Sequence, residues 1–242
     1  MSEKNQFLEL INSNIEKYKF HLTTVNSPTE PRYIYSIGLK ELFGFELIFA
    51  GAINYLKEEV SQIFEEIFEH LKKGENMADK KIKVGNIGNF SFSNVDESWS
   101  KLMMLGVFDY YKIKEINAFQ IIPDLSHFTL DTPDMSKQFN VSSEHVWQWL
   151  VKEWDYNVPA NSTVTTNVAA LLGKPITEIV RCEVNEWEMF AGPGPDVEFK
   201  DMRIVSLATM IGIDRSLSPS INLDIGDGLW RESSNSDWNK WD

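Results

Sequence analysis

The chain has 242 residues, 43% of them hydrophobic and 24% charged, with a formal net charge of −13. That length supports one large or two smaller domains with a real core, and the acidic balance argues against a protein that tracks phosphate backbones, which needs a basic face. No apolar run reaches bilayer-spanning length, residues 1–20 lack the pattern of a secretory signal, and the single cysteine, Cys182, excludes an internal disulfide or a cysteine-based zinc site, so a cytoplasmic setting is the default reading.

Residues 5–18 predict a first helix, with Phe7, Leu8, Ile11, Ile15 and Tyr18 on one stripe, and residues 20–25 read as extended. Tyr33 to Leu39 and Phe45 to Phe49 follow as two short strands punctuated by Gly38 and Gly51. The clearest periodicity comes next. Leu56, Val60, Ile63, Phe64, Ile67 and Leu71 recur at spacings of three and four, predicting an amphipathic helix over 53–73 capped by Asn54, with Glu58 and Glu59 at its start and Lys72 and Lys73 before Gly74. Residues 75–81 are polar, and 82–92 alternate loosely as sheet with a bend at Gly85 and Gly88. Residues 99–111 read as a helix or a turn-rich apolar segment, 118–122 as a buried strand stopped by Pro123 and Asp124, and 124–134 as loop. Ser142 or Ser143 is placed to cap a further helix carrying Val146, Trp147, Leu150 and Trp154.

Pro159 and the polar Asn161 to Thr163 mark a boundary. Beyond it, 164–168, 176–180 and 187–190 read as strands, Gly192 to Pro195 as a rigid turn, and 199–213 as an apolar stretch that fits both helical and strand periods. The tail from 218 is turn-rich but holds Trp230, Trp238 and Trp241, too aromatic for a disordered end, and is expected to pack. The expectation is an α+β fold in two modules, residues 1–158 and 159–242, each a mainly antiparallel sheet covered by helices. Residues 159–242 carry 7 basic and 13 acidic residues against 16 and 23 in residues 1–158, so the second module is the more acidic per residue.

No catalytic constellation can be read from the chain, and no cofactor or metal site is assigned. Asp124, His127, Asp131 and Asp134 have the most metal-like spacing, but aspartates also serve turn chemistry and no second histidine lies near. Asp224 to Gly228 lacks the third acid and distant glutamate of a calcium loop, and the prolines in Gly192 to Pro195 remove the N–H donors that a phosphate cradle requires. His21 reads as core-facing or exposed, and His70 as a solvated residue of the long helix. Cys182 is either a small buried strand residue or a thiol whose pKa is lowered by Arg181.

The polar cluster of most interest is Arg181, Glu183, Glu186 and Trp187. It is either a recognition surface, with an Arg and Trp anchor beside acids, or a structural Arg181–Glu183 pair over a core tryptophan. Asp196, Glu198, Asp224 and Asp227 are candidates for long-range steering, and Trp230 and Arg231 complete the candidate partner-binding set.

At the run Tyr35-Ser36-Ile37-Gly38-Leu39, Gly44-Phe45-Glu46-Leu47, Tyr110-Tyr111 and Gln120 to Asp124, residues 30–135 resemble the domain of unknown function 4262 family. Ser36 replaces that family's Thr, and Phe45 stands where it has His-Pro. Residues 163–241 resemble the domain of unknown function 2185 group, also called immunity protein 33-like, at Arg181 with Glu183, Trp187, Phe190, Gly192, Val205 to Leu207, Asp214 with Ser216 and Leu217, Trp230, Arg231 and Trp238. That second resemblance implies association with bacterial toxin–immunity systems, in which such proteins bind a toxin without chemistry of their own. The functional expectation is therefore a non-enzymatic cytoplasmic binding protein, an immunity protein that occludes a basic toxin, with neither nucleic acid nor membrane as partner. The alternative is an enzyme or small-ligand binder with a pocket in the first module near Tyr35, Gly38, Tyr110 and Gln120.

Overall fold

The computed structural model describes residues 3–75 and 81–241. Most of the polar stretch expected over 75–81 lies outside the described residues. The fold is α+β and is built on two six-stranded mixed sheets. In chain order its first part runs α1 (Glu3–Tyr18), β1 (His21–Val25), β2 (Tyr33–Ile37), α2 (Leu39–Phe43), β3 (Glu46–Ala50), α3 (Lys57–Lys72), β4 (Ile82–Val84), β5 (Gly88–Asn94), α4 (Glu97–Met103), α5 (Leu105–Tyr111) and β6 (Ala118–Pro123). The second part runs β7 (Thr163–Asn167), α6 (Val168–Leu171), β8 (Glu178–Glu183), β9 (Glu186–Phe190), β10 (Met202–Ser206), α7 (Leu207–Ile213), β11 (Gly228–Trp230) and β12 (Asn239–Lys240).

The strand orders are β1-β2-β3-β6-β5-β4 and β10-β7-β9-β8-β11-β12. Each sheet holds one parallel pair, β3 with β6 and β7 with β9, and its other neighbours are antiparallel. The first sheet is covered on both faces. Val60, Ile63, Phe64, Ile67 and Leu71 of α3 pack on Ile34, Leu47, Phe49, Phe90 and Ile121. On the other face, Ile11 of α1 and Trp99, Met103, Met104 and Val107 around α4 and α5 pack on Tyr33, Tyr35, Ile37 and Ile48. Being buried on both sides, β2 and β3 read as continuous apolar runs rather than alternations. The second sheet buries one face only, where Val164, Ile179, Trp187, Met189, Val205 and Leu229 meet Leu207, Met210, Ile211, Leu217 and Ile221. Arg203 joins the two parts by donating to the Ile53 and Asn54 carbonyls at 3.2 and 2.8 Å.

Several local expectations are corrected. The connection between the first two strands of the central stretch is itself a short helix, α2. The long helix starts later than expected, because Glu59, not Asn54, caps it by accepting from the Leu56 N–H at 2.7 Å, and Leu56 stays exposed. No helix forms after Ser143. Asn140 instead folds that segment into turns by accepting from the Ser142 and Ser143 N–H groups, and only a 3₁₀ turn follows at Gln148–Leu150. The ambiguous 199–213 stretch is both things in succession, β10 and then α7, with Ser206 capping the helix through the Thr209 N–H at 3.0 Å.

One buried acid sets the first part's geometry. Glu46, with no exposed surface, accepts from the Ser36 hydroxyl at 2.5 Å, the Gly38 and Lys40 N–H groups at 2.9 and 3.0 Å, and the Tyr111 hydroxyl at 2.8 Å. Gly38 has φ of 120°, and a Cβ there would come within 3.0 Å of the Lys19 carbonyl, so glycine is required. Burial pushes the Glu46 carboxyl up, and its four donors hold it back. Glu46→Ala would remove the acceptor that four donors share, leaving the Gly38 N–H only the Tyr111 hydroxyl, and is expected to cost about 3 kcal/mol or more, whereas Tyr111→Phe removes the bond to Glu46 and the one from the Gly38 N–H, which keeps Glu46, and costs about 1–2 kcal/mol. Urea denaturation of the two variants separates a network role from simple burial, since equal losses would contradict it.

Candidate functional site

The ten residues singled out from the sequence do not converge on one spot. Arg181 is turned inward: it lies over the Trp187 ring at 4.8 Å, and donates to the main-chain carbonyls of Leu223 at 2.6 Å, Val184 at 3.0 Å and Glu183 at 3.3 Å. Its Glu183 contact is thus to a carbonyl and not the carboxylate, at the irregularity where β8 shifts register against β9. Trp187 is in the core, donating to the Ser220 carbonyl at 3.2 Å. Arg231 is also buried. It donates to the Ile176 carbonyl at 2.7 Å and the Ser216 hydroxyl at 2.9 Å, pairs with Asp214 at 3.0 Å, and lies over the Trp238 ring at 4.2 Å. Burial alone raises the Asp214 carboxyl, but Ser216 and Arg231 together hold it below its ordinary value. Trp187, Arg181 and Arg231 are accordingly framework residues.

The remaining candidates lie at opposite ends of the second sheet. Glu183 and Glu186 flank the β8–β9 turn, and the Asp224–Asp227 turn lies beside them, since the Gly226 N–H donates to the Arg181 carbonyl and the Arg181 N–H to the Asp227 carbonyl. Asp196 and Glu198 belong to the segment after β9, whose Gly194 N–H donates to Glu178 at the start of β8. Trp230 pairs with Glu178 at that same end.

Between the two ends runs the uncovered face of the second sheet. Strand registers align Ile204, Thr165, Glu188 and Val180 in one cross-strand row, with Glu186 beside Thr163 in the next. Glu186 and Glu188 are both exposed, Ile204 is 69% exposed, and Trp230 and Trp241 at 38% and 45% form the flank. Gly228 makes room for that flank, because a Cβ there would meet the Trp241 ring at 2.6 Å. Cys182 reports the field of this face: its thiol is pushed up by burial first and then by Glu188, Glu186 and Glu183, opposite to the lowering expected from Arg181. Glu188 and Trp241 were not among the candidates. The alternation Glu186-Trp187-Glu188-Met189, with period two, carries the signal for Glu188.

The first part holds no such open face. Tyr35 accepts from the Gly106 N–H, Gly38 donates to Glu46 and to Tyr111, Tyr110 donates to Asn12, and Gln120 ties the Pro133 carbonyl and the Met135 N–H to β6. All four residues of the alternative pocket are therefore occupied by structural bonds. The metal-like quartet is dispersed as well. Asp124 bonds His127 at 2.8 Å, Asp134 bonds Ser136 and Lys137, and Asp131 lies apart. Among the described residues no three potential ligands gather.

Asp131 borders a cavity of about 220 Å³ at the junction of the two parts, with Glu30, Arg32, Ile53, Val205 and Thr209. It is 1% exposed, and neither carboxylate oxygen has a hydrogen-bond partner. Burial raises its pKa; the Thr129 hydroxyl, the Ile53 N–H and the charge of Arg32 temper the shift, without either donor reaching hydrogen-bond geometry.

Residues 14–128 match the model of a family described as Domain of unknown function (DUF4262). The match takes in all six strands of the first sheet and stops before the second. No curated protein and no solved structure matches the chain.

A carboxyl whose pKa is raised on folding contributes stability that is fully present below its ordinary value of 3.8 and is lost as pH rises through the raised value. Asp131→Asn keeps the shape and removes the titration. The variant is expected to unfold above the wild-type temperature at pH 7.5, by the equivalent of about 1–3 kcal/mol, with the gap closing toward pH 3.5. A gap independent of pH would sink this account of Asp131.

Proposed function

We propose that this protein is a non-enzymatic binding protein that receives a basic protein partner on the uncovered face of its second sheet. The observation that carries this reading is the pair Glu186 and Glu188, exposed on adjacent cross-strand rows and flanked by Ile204, Trp230 and Trp241. Aromatic side chains anchor interfaces because they bury a large area with few rotors, and carboxylates beside them select and steer a cationic partner. An overall charge of −13 extends that attraction beyond contact distance. The finer reading, supported by the resemblance of residues 163–241 to the immunity protein 33-like group, is an immunity protein that occludes a toxin in the cytoplasm. Asp224 and Asp227 at one end of the sheet, and Asp196 and Glu198 at the other, then contribute to the approach rather than to the contact.

Reversing both central charges, Glu186→Lys with Glu188→Lys, leaves the core untouched and is expected to weaken the partner at least tenfold, about 1.4 kcal/mol. The check is a pull-down from native cytoplasm with wild-type and variant protein at low and moderate salt, followed by co-expression of each with any basic toxin recovered. Retention of the same protein by both forms at equal strength would remove the open face from the function, and failure of the wild type to protect against the toxin would remove the immunity reading.

A further inference from the structure

A second recognition feature lies on the first sheet, far in sequence from the face just described and independent of that reading. Strand β1 is terminal in its sheet, with β2 on one side and, among the described residues, no strand on the other. Its outer edge therefore carries main-chain donors and acceptors that no ladder uses, and its sequence, His-Leu-Thr-Thr-Val, contains none of the lysines or prolines that commonly protect an edge. Along this edge runs a groove of about 540 Å³, walled by α1 through Asn14 and by α3 through Glu65, Glu66 and Glu69, with His21 and Leu22 of the strand between the walls.

Two independent properties mark the groove as a recognition site. Glu65 and Glu66 are exposed, and among the described residues neither has an ion-pair partner, whereas Glu69 pairs with Lys72 at 2.7 Å. His21, only 6% exposed, holds its Nδ1 against the Asn14 amide at 2.8 Å and leaves its Nε2 without a partner. With the Asn14 amide donating, the ring proton sits on Nε2, a buried donor lacking an acceptor. Turning the amide over would leave Nε2 an acceptor lacking a donor. Either way a buried polar group at the floor of an acidic groove is unsatisfied, and such groups cost about 1–3 kcal/mol.

We infer that the β1 edge accepts an extended, basic peptide segment of a partner protein by strand addition. The main chain of the segment pairs with the free edge of β1, alternate side chains enter the groove, and lysine or arginine side chains on that face meet Glu65 and Glu66. A second copy of this chain is the poorer occupant, because edge-to-edge pairing of two β1 strands would bring two unpaired glutamate sets together on molecules that each carry −13.

The test uses the full chain and a fluorescein-labelled peptide of alternating lysine with threonine and valine. Two controls are the same peptide with glutamate for lysine, and one with prolines at alternate positions, which removes the N–H donors needed for pairing. Anisotropy is expected to show binding of the first peptide alone, a loss of at least tenfold with Glu65→Lys and Glu66→Lys together, and little change with the Glu186→Lys and Glu188→Lys protein. Hydrogen exchange should slow at the alternate main-chain N–H groups of residues 22–25 that point away from β2 when the peptide is added. Equal binding of the proline peptide, unchanged exchange on β1, or affinity lost only through the second-sheet variant would overturn the inference. So would sedimentation showing a dimer that the Glu65→Lys, Glu66→Lys protein forms more strongly and that the peptide does not dissolve.

Discussion

The first half of the molecule is arranged around a single carboxylate that has no access to water. A buried charge left alone costs several kcal/mol, so Glu46 is tolerable only where donors converge, and the convergence defines the local fold. Ser36 closes β2 against β3, since its hydroxyl also accepts from the Leu47 N–H at 2.8 Å. Gly38 and Lys40 supply N–H groups from the start of α2, the first shared with the Tyr111 hydroxyl, and Tyr111 ties in the end of α5. The same residue opens the parallel pairing of β3 with β6, where Glu46 stands opposite Ala118. Gln120, on β6, repeats the device in neutral form by holding the 133–135 segment from both ends of its amide. The residues that carry the resemblance to the matched family are thus largely those that fix strand ends and crossovers in this chain.

The second half solves its own version of the problem with cations. Arg181 over Trp187 and Arg231 over Trp238 each place a guanidinium on an indole face; Arg181 directs its N–H groups at carbonyls, and Arg231 at the Ile176 carbonyl, the Ser216 hydroxyl and the Asp214 carboxylate. Asp214, Ser216, Arg231 and Trp238, scattered over the last thirty or so residues, form one knot that fastens the tail to the sheet, with the Trp238 N–H donating to the Ser216 carbonyl at 3.0 Å. Because this framework lies on the inner face and at the edge, the outer face of the sheet is left to solvent.

Elements with a single strong period were legible in the sequence. α3 declared itself through residues three and four apart, and β2 and β3 through β-branched and aromatic runs ending at glycines whose positive φ the fold requires. The helix expected after Ser143 did not form because Trp147 and Trp149 serve two different surroundings. Trp147 donates to the Asp131 carbonyl inside the first part, and Trp149 packs with Trp154 and Tyr156. Local periodicity cannot distinguish one buried stripe from two separate anchors. The candidate site was legible only in part for a related reason. Trp and Arg are enriched both at interfaces and in cation-on-indole frameworks, and the partner of each is set by registers across strands far apart in sequence. Glu46 was invisible as well, since nothing in a Phe-Glu-Leu run says that the acid faces inward; its donors come from Ser36 on one side and Tyr111 on the other.

The disposition of charge follows from these frameworks. Of the five arginines, Arg32, Arg181, Arg203 and Arg231 all donate to main-chain carbonyls, and each is at least partly withdrawn from solvent. Among the described residues, only Arg231 of these four also has a carboxylate in ion-pair contact, Asp214; the positions of these cations, beneath strands and between the two halves, remove them from the outer surfaces. Among the described residues, Glu65 and Glu66 on one half, and Glu186 and Glu188 on the other, have no ion-pair partner. Local field is set by nearby charges, since at physiological salt interactions between exposed groups fade over about 8 Å. The two faces consequently present more negative potential than the composition alone conveys, and a cationic partner meets it at the sheet surfaces where main chain and aromatic side chains are also within reach.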